Sequence, residues 1–235
     1  MPASVTSYPQ SISVASSKQR SPLKLIALGD SLVYGYGDPE GGGWVERLRR
    51  QWMASSYPGH VLYNLGIRGY RVVNVYERLE HEFHHRGELR NRVPDRIILS
   101  VGVNDSALVQ STQGRNYTSF EKFTQLLNSL LDRAQQLCPV LYVGMVPVDV
   151  TKMPFQGCLY YDHASQYRYK EATRLACVQR GIPYLDIFQL WLSRGEEWWQ
   201  PRLCEDGLHP NVIGYCSLFE DITTWEPVKQ LADLE

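Results

Sequence analysis

The chain carries the stretch Leu-Lys-Leu-Ile-Ala-Leu-Gly-Asp-Ser-Leu at residues 23–32. Its first part, residues 23–28, is apolar except for Lys24, as is typical of a buried strand in a parallel sheet. The run passes directly into Gly29, Asp30 and Ser31, residue types that favour a turn after a strand. This stretch therefore predicts a strand that delivers a serine to the carboxyl edge of a sheet.

Four further short runs rich in Ile, Val, Leu or Tyr follow at residues 61–65, 96–101, 140–146 and 182–187. Amphipathic segments that predict helices separate them at residues 44–54, 72–85, 119–138 and 162–180, and a last helix is expected after Asn211. Thr118 and Glu121 have capping-box spacing ahead of the third helix. Because such crossovers are right-handed, the alternation predicts an α/β fold: a three-layer α/β/α, doubly wound, five-stranded parallel sheet of flavodoxin-like type.

Length and composition point to a soluble globular protein. The chain has 235 residues, of which 43% are hydrophobic and 21% are charged, and its formal net charge is −1. We expect a single domain over residues 23–235, since a chain of this size can bury a sizeable core. The balanced charge argues against nucleic acid as a partner, and no run reaches the ~18 apolar residues of a membrane-spanning helix.

Residues 1–22 are rich in Ser, with scattered Pro and Gln. They lack the basic start and the apolar segment of a secretory signal, so we expect a disordered tail and a cytoplasmic protein. The 5 cysteines are an odd number without CxxC spacing, which favours reduced thiols. The sequence carries no signal of oligomeric state.

Ser31 is placed for nucleophilic attack, because reacting groups in doubly wound sheets collect where loops leave the carboxyl ends of the strands. A serine hydroxyl needs a neighbouring base, and that base needs an orienting partner. Candidates for both lie far downstream at Asp206 and His209, close enough in sequence for the carboxylate to fix the imidazole tautomer. An imidazole has an ordinary pKa of ~6.5, so at pH 7 it can accept the serine proton.

Two further loops offer hydrogen-bond donors for the oxyanion that acyl transfer generates. Residues 64–69, Asn-Leu-Gly-Ile-Arg-Gly, follow the second apolar run and include glycines that let a backbone N–H approach a ligand closely. Residues 102–105, Gly-Val-Asn-Asp, follow the third run, and the amide of Asn104 is an uncharged donor. Each such donor typically contributes about 3–4 kcal/mol of transition-state stabilisation.

Taken together, these pieces resemble the GDSL/SGNH hydrolase family. The matching blocks occur in the family's order from residue 23 onward: Gly29-Asp30-Ser31-Leu32, a glycine in the second loop, Gly102-Val103-Asn104-Asp105 and Asp206-Gly207-Leu208-His209-Pro210. Residues 38–48 also resemble the branch of small bacterial GDSL-type esterases and lipases. The resemblance implies an SGNH hydrolase fold and a serine esterase that needs neither a metal nor an organic cofactor.

The resemblance also implies catalytic roles for three residues. Ser31 looks like the family's nucleophile, His209 like its general base and Asp206 like the acid that orients the base. The implied reaction proceeds through an acyl-enzyme: serine attacks the ester carbonyl, the alcohol leaves, and water then releases the acid.

An oxyanion hole follows from the same resemblance. Its donors would be the backbone N–H groups of Ser31 and Gly69 and the side-chain amide of Asn104. Gly66 is the alternative to Gly69, because the family glycine is usually followed by Asp or Asn, whereas Tyr70 follows Gly69 here.

The blocks do not select a substrate. We expect a small-molecule ester with a short to medium acyl group or an aryl group, and lipid esters belong to the same range. The alternatives are a carbohydrate O-acetyl esterase or a thioesterase acting with the same site. From a different class, the chain could be a non-catalytic module that binds acyl groups or glycans, and covalent labelling of Ser31 would separate the two classes.

Aromatic residues in predicted loops are candidates for apolar walls of a substrate pocket. They are Tyr36, Trp44, Tyr70, Phe155, Tyr160, Tyr161, Trp198 and Trp199. Among them, we assign Tyr36, Tyr70, Phe155 and Trp198 to the pocket. The connection over residues 147–161 exceeds the ~4–6 residues that are typical of compact domains, which makes it a candidate for a lid or a pocket wall.

Residues 81–85, His-Glu-Phe-His-His, match the H-E-x-x-H pattern of zinc peptidases. The apolar stripe of this helix comprises Val72, Val75, Tyr76, Leu79 and Phe83. His81 and His85 lie on the opposite side, so helical periodicity predicts that both face solvent. We therefore favour a charged, solvated helix face over a metal site.

Overall fold

The computed structural model describes residues 22–54, 59–86 and 93–232. The predicted disordered tail, residues 1–22, lies outside the described residues apart from Pro22. Strands run over β1 (Lys24–Gly29), β2 (Val61–Gly66), β3 (Arg96–Ser100), β4 (Leu108–Val109), β5 (Val140–Val143), β6 (Leu159–Tyr160) and β7 (Tyr184–Leu185).

The helices of the described residues lie between these strands and after β7. They are α1 (Ser31–Tyr34), α2 (Gly43–Trp52), α3 (Val72–His85), α4 (Val103–Ser106), α5 (Phe120–Leu137), α6 (His163–Gln179), α7 (Ile187–Ser193), α8 (Glu196–Trp199), α9 (Val212–Thr224) and α10 (Glu226–Ala232). Single 3₁₀ turns lie at Val150–Lys152 and Gln200–Arg202.

The main sheet has five parallel strands in the order β2-β1-β3-β5-β7. Helices α3, α5 and α6 pack side by side, and α2 packs against α9. All six residues of β1 are buried, because helices cover both faces of this central strand. The predicted three-layer, doubly wound α/β fold is confirmed.

Strand order reverses around β1, since the chain passes first to β2 on one side and then to β3 on the other. Gly29 at the end of β1 is in register with Gly66 of β2 and Ser100 of β3. The loops that follow all three strands therefore leave the sheet at the same level. In sheets of this kind the crevice at such a reversal is where ligands bind.

Two predicted strands are longer than the observed ones. The run at residues 140–146 forms a strand only to Val143, and the run at 182–187 forms one only at Tyr184–Leu185. The carboxylate of Asp186 caps α7 by accepting from the N–H of Gln189, so the chain turns into a helix at Ile187. Once β7 ends there, no strand within the described ranges pairs with β5 beyond Val143.

The predicted capping box at Thr118 and Glu121 is wrong, because the N-cap of α5 is one residue later. Ser119 is the N-cap of α5, and its hydroxyl accepts from the N–H of Lys122. Thr118 is instead 6% exposed and makes tertiary contacts: its hydroxyl accepts from Arg71, and its carbonyl accepts from the hydroxyl of Tyr169.

A buried carboxylate organises the glycine-rich segment between α1 and α2. Asp38 accepts from the guanidinium of Arg47 and from the N–H groups of Gly41 and Gly43. Burial opposes ionisation of Asp38, but these hydrogen bonds outweigh it and hold its pKa below the ordinary range. The loop is thus wrapped around one carboxylate.

None of the helices within the described ranges combines the length and the apolar character that crossing a bilayer requires.

Asp30 caps α1 with one carboxylate oxygen, which accepts from the N–H of Leu32 at 2.9 Å. Its other oxygen has no hydrogen-bond partner among the described residues, and the side chain is buried. Burial, together with the nearby charge of Asp105, raises the pKa of Asp30 from 3.8 to about 7. The folded protein therefore holds a proton on Asp30 where an unfolded chain would release it.

This raised pKa predicts a stability cost that grows as the pH rises above the ordinary pKa of 3.8. Asn in place of Asp30 keeps the capping oxygen but cannot ionise. The free energy of unfolding of Asp30→Asn minus that of the wild type should rise by about 2–3 kcal/mol between pH 5 and 8, and level off above about pH 7. Chemical denaturation across this pH range measures the difference.

Asp132→Asn is the matched control. Asp132 pairs with Arg180, and this hydrogen bond holds its pKa below the ordinary value. It is therefore ionised in both folded and unfolded states from pH 5 to 8, and the same difference should stay flat. A flat profile for Asp30→Asn as well would show that Asp30 is not held protonated by burial.

Candidate active site

Ser31 is the first residue of α1 and lies directly beyond the carboxyl end of β1. Close packing fixes this turn, because a Cβ on Gly29 would come within 2.0 Å of the carbonyl oxygen of Ser100. Ser31 is only 3% exposed. As the first residue of a helix, Ser31 has a backbone N–H outside the helix's own hydrogen-bond ladder.

His209 joins Ser31 to Asp206 through both of its ring nitrogens. Nε2 lies 2.9 Å from the hydroxyl oxygen of Ser31, and Nδ1 lies 2.7 Å from Oδ2 of Asp206. Ser31 and His209 are 178 residues apart in the chain. The structure therefore brings together the three residues for which the sequence predicted catalytic roles, in one line of hydrogen bonds.

Asp206 is held in its charged form. Burial opposes its ionisation, but the ring of His209 and the backbone N–H groups of His209 and Leu208 all donate to the carboxylate. These donors outweigh desolvation and hold the pKa of Asp206 below its ordinary value. A carboxylate in this position fixes the imidazole with Nδ1–H toward Asp206 and leaves Nε2 as an acceptor for the serine hydroxyl.

Asn104 lies in α4, the short helix directly after β3, and is 7% exposed. One N–H of its amide donates to the carbonyl oxygen of Tyr70 at 2.9 Å. Its oxygen, Oδ1, accepts from the hydroxyl of Tyr161 at 3.1 Å. The second N–H has no acceptor among the described residues, so the amide offers one free donor beside the loop that follows β2.

The two candidate glycines of that loop differ in what their N–H groups do. The N–H of Gly66 donates to Oδ1 of Asn64 at 3.1 Å, and a Cβ there would lie 2.1 Å from the backbone nitrogen of Tyr34. Gly66 is thus a packing residue. Gly69 is exposed, has φ +76°, and its N–H has no acceptor among the described residues.

Two aromatic rings pack against the imidazole of His209 edge to face. The ring centroids of Tyr36 and Phe155 lie 4.6 Å and 5.8 Å from that of His209. Both aromatic side chains are partly buried, and Arg68 lies over the ring of Tyr36 at 3.8 Å. These two predicted pocket residues therefore lie beside the imidazole of His209.

The other two predicted pocket residues behave differently. Tyr70 reaches the site through its backbone carbonyl, while its ring faces the guanidinium of Arg78 at 5.4 Å. Trp198 lies between Arg194 and Arg202 and packs against Trp191. These contacts do not join Trp198 to Ser31 or His209, so the structure does not support its assignment to the pocket.

The long connection over residues 147–161 forms a wall beside the site. It is attached at Asp149, whose N–H donates to the carbonyl oxygen of Gly207, and at β6, which pairs with β4. Phe155 projects from it onto His209. Of the two predicted roles for this connection, these contacts favour the pocket wall.

The histidines of the H-E-x-x-H pattern lie on α3 away from this site. His81 and His85 are exposed, as helical periodicity predicted, and their rings stack on each other at 3.9 Å. Within the described ranges, no three His, Cys, Asp or Glu side chains are grouped so that they could hold a metal ion.

Tyr161 is one of eight aromatic residues that the sequence predicts as candidates for the pocket wall. Its role in the structure is a hydrogen bond to Asn104 from a side chain that is 2% exposed. The signal that could have found it is the long connection after β5, since such a segment must be fastened somewhere near the loops it crosses.

The chain matches the profile of one known family and resembles several solved structures. The profile of the GDSL-like lipase/acylhydrolase family matches residues 27–215. A search of curated proteins finds no significant match. Solved structures with the same fold include the lipase/acylhydrolase from Enterococcus faecalis, at 19% identity and TM-score 0.69, covering 89% of this chain and 95% of that one.

Another similar structure is the acetylxylan esterase Axe2 from Geobacillus stearothermophilus, at 16% identity and TM-score 0.66, covering 86% of this chain and 93% of that one. Catalytic mutants of Axe2 have a serine, a histidine or an aspartate replaced by alanine, and its histidine lies three positions after its aspartate. At these identities the likeness establishes a shared fold. The profile match spans most of the sequence, and the chain belongs to the GDSL-like lipase/acylhydrolase family.

Proposed function

We propose that this protein hydrolyses carboxylic esters as a serine hydrolase, with Ser31 as nucleophile, His209 as general base and Asp206 as the residue that orients the base. The observation that carries the proposal is the unbroken line of hydrogen bonds from Asp206 through the imidazole to the serine hydroxyl. A serine next to a correctly oriented imidazole is the arrangement that nucleophilic acyl transfer requires.

In the first half-reaction the hydroxyl oxygen of Ser31 attacks the ester carbonyl, and Nε2 of His209 takes its proton. The imidazolium that forms is stabilised by the charge of Asp206. It then gives its proton to the leaving alcohol as the carbon–oxygen bond breaks and the acyl-serine forms. In the second half-reaction water takes the place of the alcohol and loses a proton to His209. The bond between the acyl carbon and the serine oxygen then breaks, His209 returns the proton to that oxygen, and the acid is released.

The negative oxygen of the tetrahedral intermediate would be bound by three donors. They are the N–H groups of Ser31 and Gly69 and the second N–H of the Asn104 amide. Gly69 is favoured over Gly66 because the N–H of Gly66 is already bonded to Asn64. All three donors lie in loops or helix starts that follow β1, β2 and β3 at one edge of the sheet.

The likeness to Axe2 supports the assignment. In that esterase a histidine and an aspartate three positions apart, together with a serine, are the sites of catalytic mutants. Asp206 and His209 have the same spacing in this chain.

We favour short acyl groups as the substrate class. Ser31 and His209 are each 3% exposed, and the rings of Tyr36 and Phe155 pack on the imidazole from two directions. A nucleophile enclosed in this way leaves little room for a long alkyl chain. An acetylated carbohydrate is the second candidate substrate, because an acetyl group suits this entrance and an acetylxylan esterase shares the fold.

Covalent labelling tests the nucleophile. A fluorophosphonate should react once per chain at Ser31: its oxygen forms a bond to phosphorus, fluoride leaves, and the serine proton passes to His209. Mass spectrometry of the digested protein should place the adduct on the peptide containing Ser31. Ser31→Ala should take up no label, whereas Ser129→Ala should label like the wild type, because Ser129 is partly buried and its hydroxyl donates to the carbonyl oxygen of Gln125 within α5. An unlabelled wild type would favour a binding module over an enzyme.

Asn104→Ala tests the oxyanion hole. Loss of the amide donor should lower kcat on a p-nitrophenyl ester by about 10²–10³-fold and leave KM nearly unchanged, since the bond forms only as charge develops. Asn128→Ala is the control, because that amide only donates to a carbonyl within α5. An Asn104→Ala enzyme with wild-type kcat would remove Asn104 from the mechanism.

A chain-length series tests the substrate class. Across p-nitrophenyl esters from acetate to laurate, kcat/KM should be highest at the short end and fall by about tenfold or more toward laurate. Phe155→Ala should flatten the series, because it removes one ring from the entrance. Acetylated xylo-oligosaccharide, assayed in parallel, separates the two candidate substrates. A laurate ester cleaved as well as acetate would contradict the short-acyl assignment.

A further inference from the structure

We propose that Tyr161 is a positioning residue that holds the amide of Asn104 in the orientation the oxyanion hole requires. The inference rests on the proposed function, because it assigns a task to a side chain that does not touch the reacting atoms. It starts from the hydrogen bond between the hydroxyl of Tyr161 and Oδ1 of Asn104, which measures 3.1 Å between two buried groups.

The partners of Asn104 determine which end of its amide points where. The carbonyl oxygen of Tyr70 can only accept, so the amide atom 2.9 Å from it is the nitrogen. The hydroxyl of Tyr161 then faces the amide oxygen and donates to it. With one N–H and the oxygen engaged on either side, rotation of the amide plane would break both bonds, and the second N–H keeps a single direction.

The hydroxyl of Tyr161 keeps its proton and so remains a hydrogen-bond donor to Asn104. Burial, with smaller effects from the charges of Asp30 and Asp206, raises the pKa of Tyr161 above its ordinary value. The hydroxyl therefore stays protonated across the range in which an esterase works. Without it, Oδ1 of Asn104 would be a buried acceptor with no partner among the described residues, which costs free energy and frees the amide to turn.

The fold brings the two residues together through the small sheet that the sequence did not predict. β4 follows α4, the helix that carries Asn104, and β6 directly precedes Tyr161. Leu108 of β4 pairs antiparallel with Tyr160 of β6. Strand pairing thus fastens the end of the long connection next to α4, so the connection supplies both the ring of Phe155 at the entrance and the hydroxyl behind the oxyanion donor.

A double-mutant cycle tests the proposal. Tyr161→Phe removes only the hydroxyl and keeps the ring that packs against Phe155 at 6.5 Å. It should lower kcat on a p-nitrophenyl acetate by about 5- to 50-fold with KM nearly unchanged, as expected for a donor that is no longer held in place. In the Asn104→Ala background the same substitution should change kcat by less than about twofold, because the group it positions is gone.

Tyr169→Phe is the matched control for the loss of a buried tyrosine hydroxyl. That hydroxyl donates to the backbone carbonyl of Thr118, and the side chain is fully buried. Tyr169→Phe should lower the denaturation midpoint about as much as Tyr161→Phe while kcat stays within about twofold of the wild type. Equal losses of kcat in the wild-type and Asn104→Ala backgrounds would mean that Tyr161 acts through general packing, and would overturn the proposal.

A crystal structure of Tyr161→Phe gives a readout that does not depend on activity. The Asn104 amide should be rotated or occupy more than one orientation. An amide with a single, unchanged orientation would reject the positioning role even if the protein hydrolyses esters. Failure of the proposed function is seen separately, as a wild-type protein in which Ser31 takes up no fluorophosphonate.

Discussion

The imidazole of His209 lies buried between a serine hydroxyl and a carboxylate, and this placement sets the demands on the rest of the structure. A buried imidazole is stable there only if both ring nitrogens have partners. Asp206 supplies one partner from the same loop, and Ser31 supplies the other from the opposite end of the chain. The α/β fold is what brings these distant segments into hydrogen-bond distance.

Parallel pairing of β1 with both β2 and β3 supplies that geometry. Their ends are in register, so three consecutive loops leave one edge of the sheet at a common level, at the point where strand order reverses. Every donor proposed to bind the oxyanion lies just beyond one of these strand ends.

The same edge holds two buried carboxyls, Asp30 and Asp105, whose pKa values burial raises to about 7 and about 6. Placing the serine turn here therefore costs stability, as is common at functional sites.

The sequence predicts the parts of this arrangement that depend on local pattern. The apolar stripe of α3 predicts its observed bounds, Val72–His85. Along a helix that packs on one face, apolar residues recur with the helical period. The strand-end positions of Ser31 and Asn104, and the spacing of Asp206 and His209, follow from short runs whose order is fixed by right-handed crossovers. Three other features depend on tertiary contacts and do not follow from local sequence: the early end of β5, the burial of Thr118 and the position of Trp198. The β4–β6 pair and the hydrogen bond of the Tyr161 hydroxyl also depend on tertiary contacts. A strand of two residues is too short to show an alternating pattern in the sequence.

A crystal structure of the protein with a phosphonate bound covalently to Ser31 would test the proposed site directly. We expect the phosphonyl oxygen to lie about 2.7–3.1 Å from the backbone nitrogens of Ser31 and Gly69 and from the side-chain nitrogen of Asn104, with His209 still hydrogen-bonded to Asp206. A phosphonyl oxygen that faces solvent or contacts none of these three donors would contradict the proposed site.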